Sequence, residues 1–517
     1  MKATSCLQCR EAKRRCVRPS IDSPCNNCRR KNLACSSHIS SQTTSAPKEN
    51  HESLPELTAE LTIEFVESYL THLDGRPHSI FHQETLRKQV RKKEIGDALL
   101  YAICALGSKF SPKSEHRALE NSLTKEAKRL VQADLENVCI ENVQTCILLA
   151  LLSAGNCQTS SETLFLRIAI GMAEVLQLNS SCADDPSIMT ETALRTWWSL
   201  YILDRWCSSG LGIPRHMDNP HCPDSSPLPI DETSFKRLRP SSLLQNSSRT
   251  PGVFAHMVTL IQHFGHIQGL NRALAKGDMK PTDKCDAIKH IGHQLESWRA
   301  NLPENMQMTI QNIYSHQQND LGGHFIALHL VFHHLSALVY FNSLETKEPS
   351  YLGQGDHVAL CKFHASSFSS LLHTSRQMSG CQQNYPTVGH MTTVASAVLL
   401  HTLLLGEPED IPKARQELNT NFEALIELRQ YWPATEAMIN RLMAFQKICL
   451  LSTESHKLDG WMVRFLLEHS LGLLKRTLPI IPQALDIESD SFAMRTRELS
   501  QEGRYTNFDL FNQPRSF

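Results

Sequence analysis

The chain has 517 residues, of which 41% are hydrophobic and 20% are charged. This composition excludes a wholly disordered protein, because a chain with this hydrophobic fraction can bury a core. The formal net charge is -1, but residues 1–40 hold nine Lys or Arg and two Asp or Glu, a net of +7, and the rest of the chain has a net of -8. This asymmetry predicts that the basic N-terminal segment binds a polyanion.

The N-terminal residues MKATSCLQCREAKRRC contain no apolar run, so they predict no secretory signal. We also expect no membrane span, since we find no run of about 18–20 apolar residues. The most apolar window, 325–341, contains three histidines, which favours a protein core. Such a chain is expected in the cytosol or nucleus, where clustered cysteines bind metals more often than they form disulfides.

Six of the 17 cysteines form a repeat, C-x2-C-x6-C, that occurs twice within the first 35 residues. They are Cys6, Cys9, Cys16, Cys25, Cys28 and Cys35. Structural zinc takes four ligands in a tetrahedron, so one ion would leave two thiolates over. Six sulfurs fill the eight ligand positions of two zinc ions if two sulfurs bridge them. We therefore predict two zinc ions per chain, whose binding supplies the folding free energy of a segment with few apolar residues.

Basic residues occupy the six-residue stretches between cysteines in both halves of the repeat. They are Arg10, Lys13, Arg14, Arg15, Arg29, Arg30 and Lys31. Neither stretch contains Gly or Pro, so each can form about two turns of helix. Cationic helices suit the phosphate backbone of DNA, and Lys or Arg can bind guanine O6 and N7 in the major groove.

The segments CREAKRRC and CNNCRRKNLAC resemble the two halves of the fungal zinc binuclear cluster (Zn2Cys6) family of transcription factors. The resemblance implies that the first helix enters the major groove and that Lys13 binds bases of a CGG-like triplet. Arg10, Arg14 and Arg15 would contact phosphates or neighbouring bases. Two alternatives that do not involve DNA are a redox or zinc-storage segment and a protein-binding zinc module, but neither explains the matched halves with their basic stretches.

The predicted domains follow in chain order. Residues 1–40 are the zinc-cluster DNA-binding domain, and 41–55 are a flexible polar linker. A stripe from Leu54 through Phe65 to Leu73 favours the first core helix of the next domain over a coiled coil. Dimerisation through the linker is therefore not supported, and a homodimer remains an open alternative.

Residues 56–483 have apolar side chains at helical spacing, as in 165–176 and 194–205, and predict a large all-α domain. The stretch 193–220 resembles the signature of the fungal transcription factor middle region, and 325–341 and 428–434 resemble its helices. The resemblance implies a regulatory domain, with a small-molecule effector as a candidate partner.

No catalytic motif is present, so the sequence predicts no enzyme. His329 and His333 lie one helical turn apart, but without a third ligand nearby a pair of core histidines is favoured over a metal site. Asp204 and Arg205 favour a structural ion pair over a catalytic pair. Trp197, Trp198 and Trp206 are expected in the core, with an effector pocket as the alternative.

The amino-acid composition changes at residues 484–517, where acidic residues lie among Phe and Leu in DIESDSF and YTNFDLF. A coactivator could bind such a tail through Phe508, Leu510 and Phe511, and a terminal helix or plain disorder is the alternative. The sequence thus predicts a nuclear, sequence-specific regulator of RNA polymerase II transcription that binds double-stranded DNA, recruits the transcription machinery and controls a metabolic or biosynthetic gene set. A metal- or redox-sensing interaction protein is the second hypothesis.

Overall fold

The computed structural model describes most of the chain after Leu57 and a few residues before it. The described residues are 9, 16–17, 25–30, 57–180, 187–217, 226–239, 250–276, 279–345, 354–451 and 490–507. The chain divides into two compact units, Met1–Leu57 and Thr58–Phe517. We call the second one the helical unit.

Within the described residues the secondary structure is helical, apart from one isolated antiparallel bridge between Ile230 and Pro251. The first unit contains α1 (Asn26–Arg30). The first half of the helical unit contains α2 (Ala59–His72), α3 (Gln83–Lys92), α4 (Asp97–Ser108), α5 (Ser114–Arg117), α6 (Glu120–Ala133), α7 (Ile140–Gly155), α8 (Thr159–Val175), α9 (Ile188–Leu211) and α10 (Glu232–Arg237). The all-α prediction is confirmed.

The second half of the helical unit continues in the same way. It contains α11 (Val253–Gln262), α12 (Phe264–Lys276), α13 (Pro281–Ala300), α14 (Ile310–Gln318), α15 (Gly322–Tyr340), α16 (Gln354–Gln377), α17 (Pro386–Leu405), α18 (Ile411–Arg429), α19 (Ala434–Leu451) and α20 (Asp490–Gln501). Short 3-10 turns cover Leu178–Ser180, Glu304–Met306, Phe341–Glu345 and Pro408–Asp410.

Helix α9 illustrates how local sequence sets the ends of a helix. It begins after Ser187, whose side chain accepts a hydrogen bond from the Thr190 amide while the Thr190 side chain bonds back, which is a capping box. It ends at Gly212, whose φ of 67° lies in the left-handed region that glycine adopts without strain. Both faces of the helix are buried over most of its length, which places it inside the helical unit.

Helix α2 contains the central part of the stripe that the sequence assigned to a first core helix, while Leu73 caps the helix and Leu54 lies outside the described residues. Phe65, Tyr69 and Leu73 are all buried, and the helix packs against α4. The two helices approach closely at Gly107, where an added Cβ would lie 1.9 Å from the carbonyl oxygen of Phe65. A buried face of this kind fits a core helix and not a solvent-exposed coiled-coil seam.

Two helical segments are long and apolar enough to span a bilayer, which corrects the expectation that no such stretch exists. They are Gly322–Leu344 and Pro386–Leu405, with mean hydropathies of 1.4 and 1.5. Counting consecutive apolar residues missed them because His, Ser and Thr interrupt the runs. In both segments 89% of the apolar window is buried in the folded chain, as in the core helices of a soluble protein.

The described part of the C-terminal tail packs on the helical unit. Helix α20 contacts α19, and the buried Leu499 packs against Leu404. After the helix, the Arg504 guanidinium donates to the carbonyl oxygens of Leu403 (3.2 Å) and Gly406 (3.0 Å). Residues 490–507 therefore belong to the helical fold, and Phe508, Leu510 and Phe511 lie outside the described residues.

Candidate metal centre and nucleic-acid interface

Three cysteine sulfurs from the two halves of the repeat converge in the first unit. The Sγ atoms of Cys9, Cys25 and Cys28 all lie within 4.8 Å of one another, and those of Cys9 and Cys25 are 3.5 Å apart. The three side chains are at most 2% exposed. The structure thus brings a ligand of the first half next to two ligands of the second half.

The short helix α1 positions this cluster. Cys25 precedes the helix, and Cys28 lies in its first turn with its amide donating to Cys25 Sγ at 3.4 Å. The amide of Asn26 donates to the carbonyl oxygen of Val17 at 2.9 Å, which ties the start of the helix to the first half of the repeat. The Asn27 side chain also lies near the cluster, with Nδ2 at 3.9 Å from Cys9 Sγ.

The donor set fits zinc. In a tetrahedral thiolate site with Zn–S bonds near 2.3 Å, sulfurs lie about 3.8 Å apart, close to the separation of Cys9 and Cys25. The same 3.5 Å is far longer than the about 2.05 Å of a disulfide bond. Three mutually close buried thiols make a poor hydrophobic core and a good metal site.

The structure describes only some of the predicted site residues. Cys16 is half-buried and packs against the three-sulfur cluster without being one of its members. Arg30 is exposed on α1, whereas Arg29 is described only as part of the helix backbone. The other predicted ligands and DNA-contacting residues lie outside the described residues: Cys6, Cys35, Arg10, Lys13, Arg14, Arg15 and Lys31.

The histidine pair of the helical unit makes core contacts. His329 Nε2 lies 3.1 Å from the carbonyl oxygen of Met306, and His333 Nδ1 lies 3.0 Å from His364 Nδ1. Over the described ranges, the one group of three or more potential ligands close enough to share a metal ion is Cys9, Cys25 and Cys28. The interpretation of His329 and His333 as core histidines is therefore favoured.

Asp204 forms a structural ion pair, but with a partner that the sequence did not indicate. Its Oδ1 accepts from Arg167 at 2.9 Å, and its Oδ2 accepts from the amides of His216 (2.9 Å) and Met217 (3.0 Å). Arg205 is a weaker partner at 3.7 Å and lies over the Tyr201 ring at 3.4 Å. These contacts hold the loop after α9 and show no catalytic arrangement.

The three tryptophans that the sequence placed in the core are all buried, but they differ in their surroundings. Trp198 is buried, and its indole donates to the carbonyl oxygen of Pro227 at 3.0 Å. Trp197 is 5% exposed and also belongs to the core. Trp206 is buried as well, but it lines a cavity of about 390 Å³ together with Glu162 and Tyr385. The alternative of an effector pocket thus applies to Trp206 alone of the three. The sequence did not indicate the other walls, because they come from residues as far apart as Pro77 and Arg441.

Comparison with known families agrees with the cysteine geometry. Residues 4–44 match the fungal Zn(2)-Cys(6) binuclear cluster domain, and residues 66–300 match the fungal specific transcription factor domain. The two matches occur in the order that the sequence resemblance implied.

Three curated fungal proteins are similar over much of the chain. Two are uncharacterised transcriptional regulatory proteins of Schizosaccharomyces pombe, 24% identical over 61% of the chain and 21% identical over 75% of it. The third is the Zn(2)-C6 fungal-type transcription factor FTF2 of Fusarium oxysporum f. sp. lycopersici, 22% identical over 76% of the chain. The aligned regions cover 36%, 52% and 40% of these proteins, so the chain spans at most about half the length of these three relatives.

The matched domains and relatives are transcriptional regulators and not enzymes. The two domain matches and the description of the relatives as transcriptional regulatory proteins or a transcription factor point to the same group of proteins. The chain belongs to the fungal Zn(2)-Cys(6) transcription factor family.

Proposed function

We propose that this protein is a sequence-specific DNA-binding regulator of RNA polymerase II transcription that acts in the nucleus. The proposal rests chiefly on the convergence of three buried sulfurs from both halves of a cysteine repeat whose intervening stretches are basic. Family membership supports it, because the matched cluster domain belongs to fungal transcription factors.

The metal centre consists of two zinc ions held by all six cysteines of the repeat. The 3.5 Å separation of Cys9 and Cys25 supports a site that joins the two halves, as bridging thiolates require. Bound zinc supplies the free energy that folds this segment, since a segment this short has almost no apolar core. The cysteines bind as thiolates and fix the orientation of the helices that leave them.

The basic residues between the cysteines form the DNA-contacting surface. Arg30 supports this assignment, because it is exposed on α1 two residues after the buried Cys28. By family resemblance Lys13 binds the bases of a GC-rich, CGG-like triplet in the major groove. Arg10, Arg14, Arg15, Arg29 and Lys31 join Arg30 in phosphate or neighbouring base contacts.

The helical unit regulates a metabolic or biosynthetic gene set, and coactivators or the transcription machinery are its partners. Its acidic balance supports a role away from DNA, since the net charge outside residues 1–40 is -8. The affinity for DNA then comes from the small basic segment, whether in one chain or in a homodimer, and falls steeply with salt.

A binding selection on random duplexes with the full chain and its Lys13→Ala variant tests this function. We expect the wild-type chain to enrich a GC-rich triplet, and Lys13→Ala to weaken binding to that target by about 1–3 kcal/mol, because a base contact is lost. Zinc content should stay at two ions per chain, which separates a lost base contact from a lost fold.

Lys88→Ala is the matched control, because Lys88 is an exposed lysine on α3 in the helical unit. This variant should select the same triplet with unchanged affinity. A wild-type chain that enriches no sequence would instead favour the metal- or redox-sensing interaction protein, and full specificity in Lys13→Ala would refute the role of Lys13.

A further inference from the structure

The helical unit contains a cavity of about 390 Å³ at the junction of its two halves. Small-molecule sites in proteins have volumes of about 300–1,000 Å³, so the cavity is large enough for an organic ligand. Helices α7, α8 and α9 form one side, within the region matched by the family domain, and α17 and α19 form the other side, beyond that region.

The walls are mainly apolar. Aliphatic and small side chains come from every helix that surrounds the cavity: Ala150, Leu151, Leu166, Leu203, Pro386 and Met438. Aliphatic walls with a few polar groups are typical of sites for drug-sized molecules, where the polar groups fix the orientation of the ligand.

Four side chains that line the cavity contain a buried polar atom without a hydrogen-bond partner. They are Glu162 (Oε2), Trp206 (Nε1), Tyr385 (Oη) and His78 (Nδ1), and each residue is at most 6% exposed. Buried polar groups in native proteins are nearly always paired, so four around one cavity indicate partners of a bound molecule. Glu162 offers an acceptor, Trp206 a donor, and Tyr385 both.

The charges on the wall favour an uncharged ligand. The wall contains the carboxyl group of Glu162 and the guanidinium of Arg441, beside the imidazoles of His78 and His390. Burial raises the pKa of Glu162 to about 7, which means that the protonated and ionised forms are both populated near neutral pH. A charged ligand would have to be desolvated among mainly apolar walls, which disfavours it.

We propose that this cavity binds an uncharged, largely apolar organic molecule of one or two rings with a hydroxyl group that bonds to Glu162 or Trp206. The ligand contacts α7–α9 and α17–α19 at once and so joins the two halves of the helical unit. This inference goes beyond the proposed DNA-binding function and does not depend on it.

Titration of the full chain with 2-naphthol and with 4-phenylphenol tests the proposal, with binding measured by calorimetry in the absence of DNA. We expect saturable binding of at least one of these alcohols at one molecule per chain, and weaker binding of the anion 2-naphthoate. Glu162→Gln should weaken binding by about tenfold, because a charge-assisted hydrogen bond becomes a neutral one.

Ala437→Trp serves as the blocking variant, since Ala437 lines the cavity but is exposed, so a large side chain there fills the opening without disturbing the core. Ala133→Trp makes the same change at an exposed position at the end of α6, away from the cavity. We expect the first variant to lose binding and the second to keep it, with circular dichroism showing both folded. Absence of saturable binding to both alcohols, or equal binding by Ala437→Trp and the wild-type chain, would overturn the proposal.

Discussion

At the scale of single residues, Asp204 shows what a sequence can and cannot indicate about an ion pair. The adjacent Asp204 and Arg205 favoured a structural pair over a catalytic one, and the structure supports a structural role. The main partner, however, is Arg167, which lies 37 residues earlier on α8. No local pattern connects these two positions, because only the packing of α8 against α9 brings them together.

Asp204→Ala should lower the free energy of unfolding by about 3–5 kcal/mol, because it leaves a partly buried guanidinium and two loop amides without their acceptor. Urea unfolding followed by circular dichroism measures the change. Asp286→Ala removes an exposed aspartate of α13 and should change stability by less than about 0.5 kcal/mol. Similar values for the two variants would show that the Asp204 contacts contribute little.

At the scale of secondary structure elements, the periodic helices were predictable and the C-terminal one was not. Apolar spacing at 165–176 and 194–205 falls within α8 and α9, apart from Leu176, which caps α8. Helix α20 has few apolar residues, and the sequence left a coactivator-binding tail, a terminal helix and plain disorder as alternatives for this region. Its position depends on distant partners, because Leu499 packs against Leu404 and the residues after it bond to α19.

Gln446→Ala should loosen residues 490–507 from the helical unit. The Gln446 amide of α19 donates to the Thr506 carbonyl at 2.9 Å and accepts from the Thr506 amide at 3.2 Å, and both bonds are buried. Hydrogen–deuterium exchange of residues 490–507 should accelerate in this variant. Arg497→Ala, at an exposed position of α20, should exchange like the wild-type chain, and unchanged exchange in Gln446→Ala would contradict the assigned contact.

At the scale of the whole molecule, the sequence indicated a metal centre and a helical unit, but it did not indicate how the helices of that unit pack against one another. The cysteine spacing located a metal centre, since few other uses of six regularly spaced thiols exist in a reducing compartment. Apart from Trp206, the residues that line the cavity could not be predicted, because the cavity needs α7 beside α17 and α19, more than 200 residues apart in the chain. Such long-range packing leaves no periodic signal in the sequence.

Buried titratable groups should make the stability of the helical unit fall in acid. Burial disfavours the imidazolium form and lowers the pKa of five histidines to about 3 or 4: His78, His329, His333, His334 and His364. The unfolded chain binds these protons near pH 6.5, so stability falls as the pH drops below that value. Burial also raises the pKa of Asp74 to about 6 and of Glu162 to about 7, which has the opposite effect.

Five histidines outweigh two carboxyl groups, so a net loss of about 3–4 kcal/mol per pH unit is expected between about pH 6 and pH 4.5. Urea midpoints followed by circular dichroism at 222 nm over this range measure the effect. Midpoints that stay constant or rise on acidification would show that the histidines are accessible in the folded state.

Native mass spectrometry of the full chain, purified without added chelator, tests the central assignment most directly. We predict a mass increase of two zinc ions per chain, accompanied by the loss of the protons that six thiolates release on binding. A chain without zinc, or one in which Cys9, Cys25 and Cys28 are paired as disulfides, would contradict the assignment.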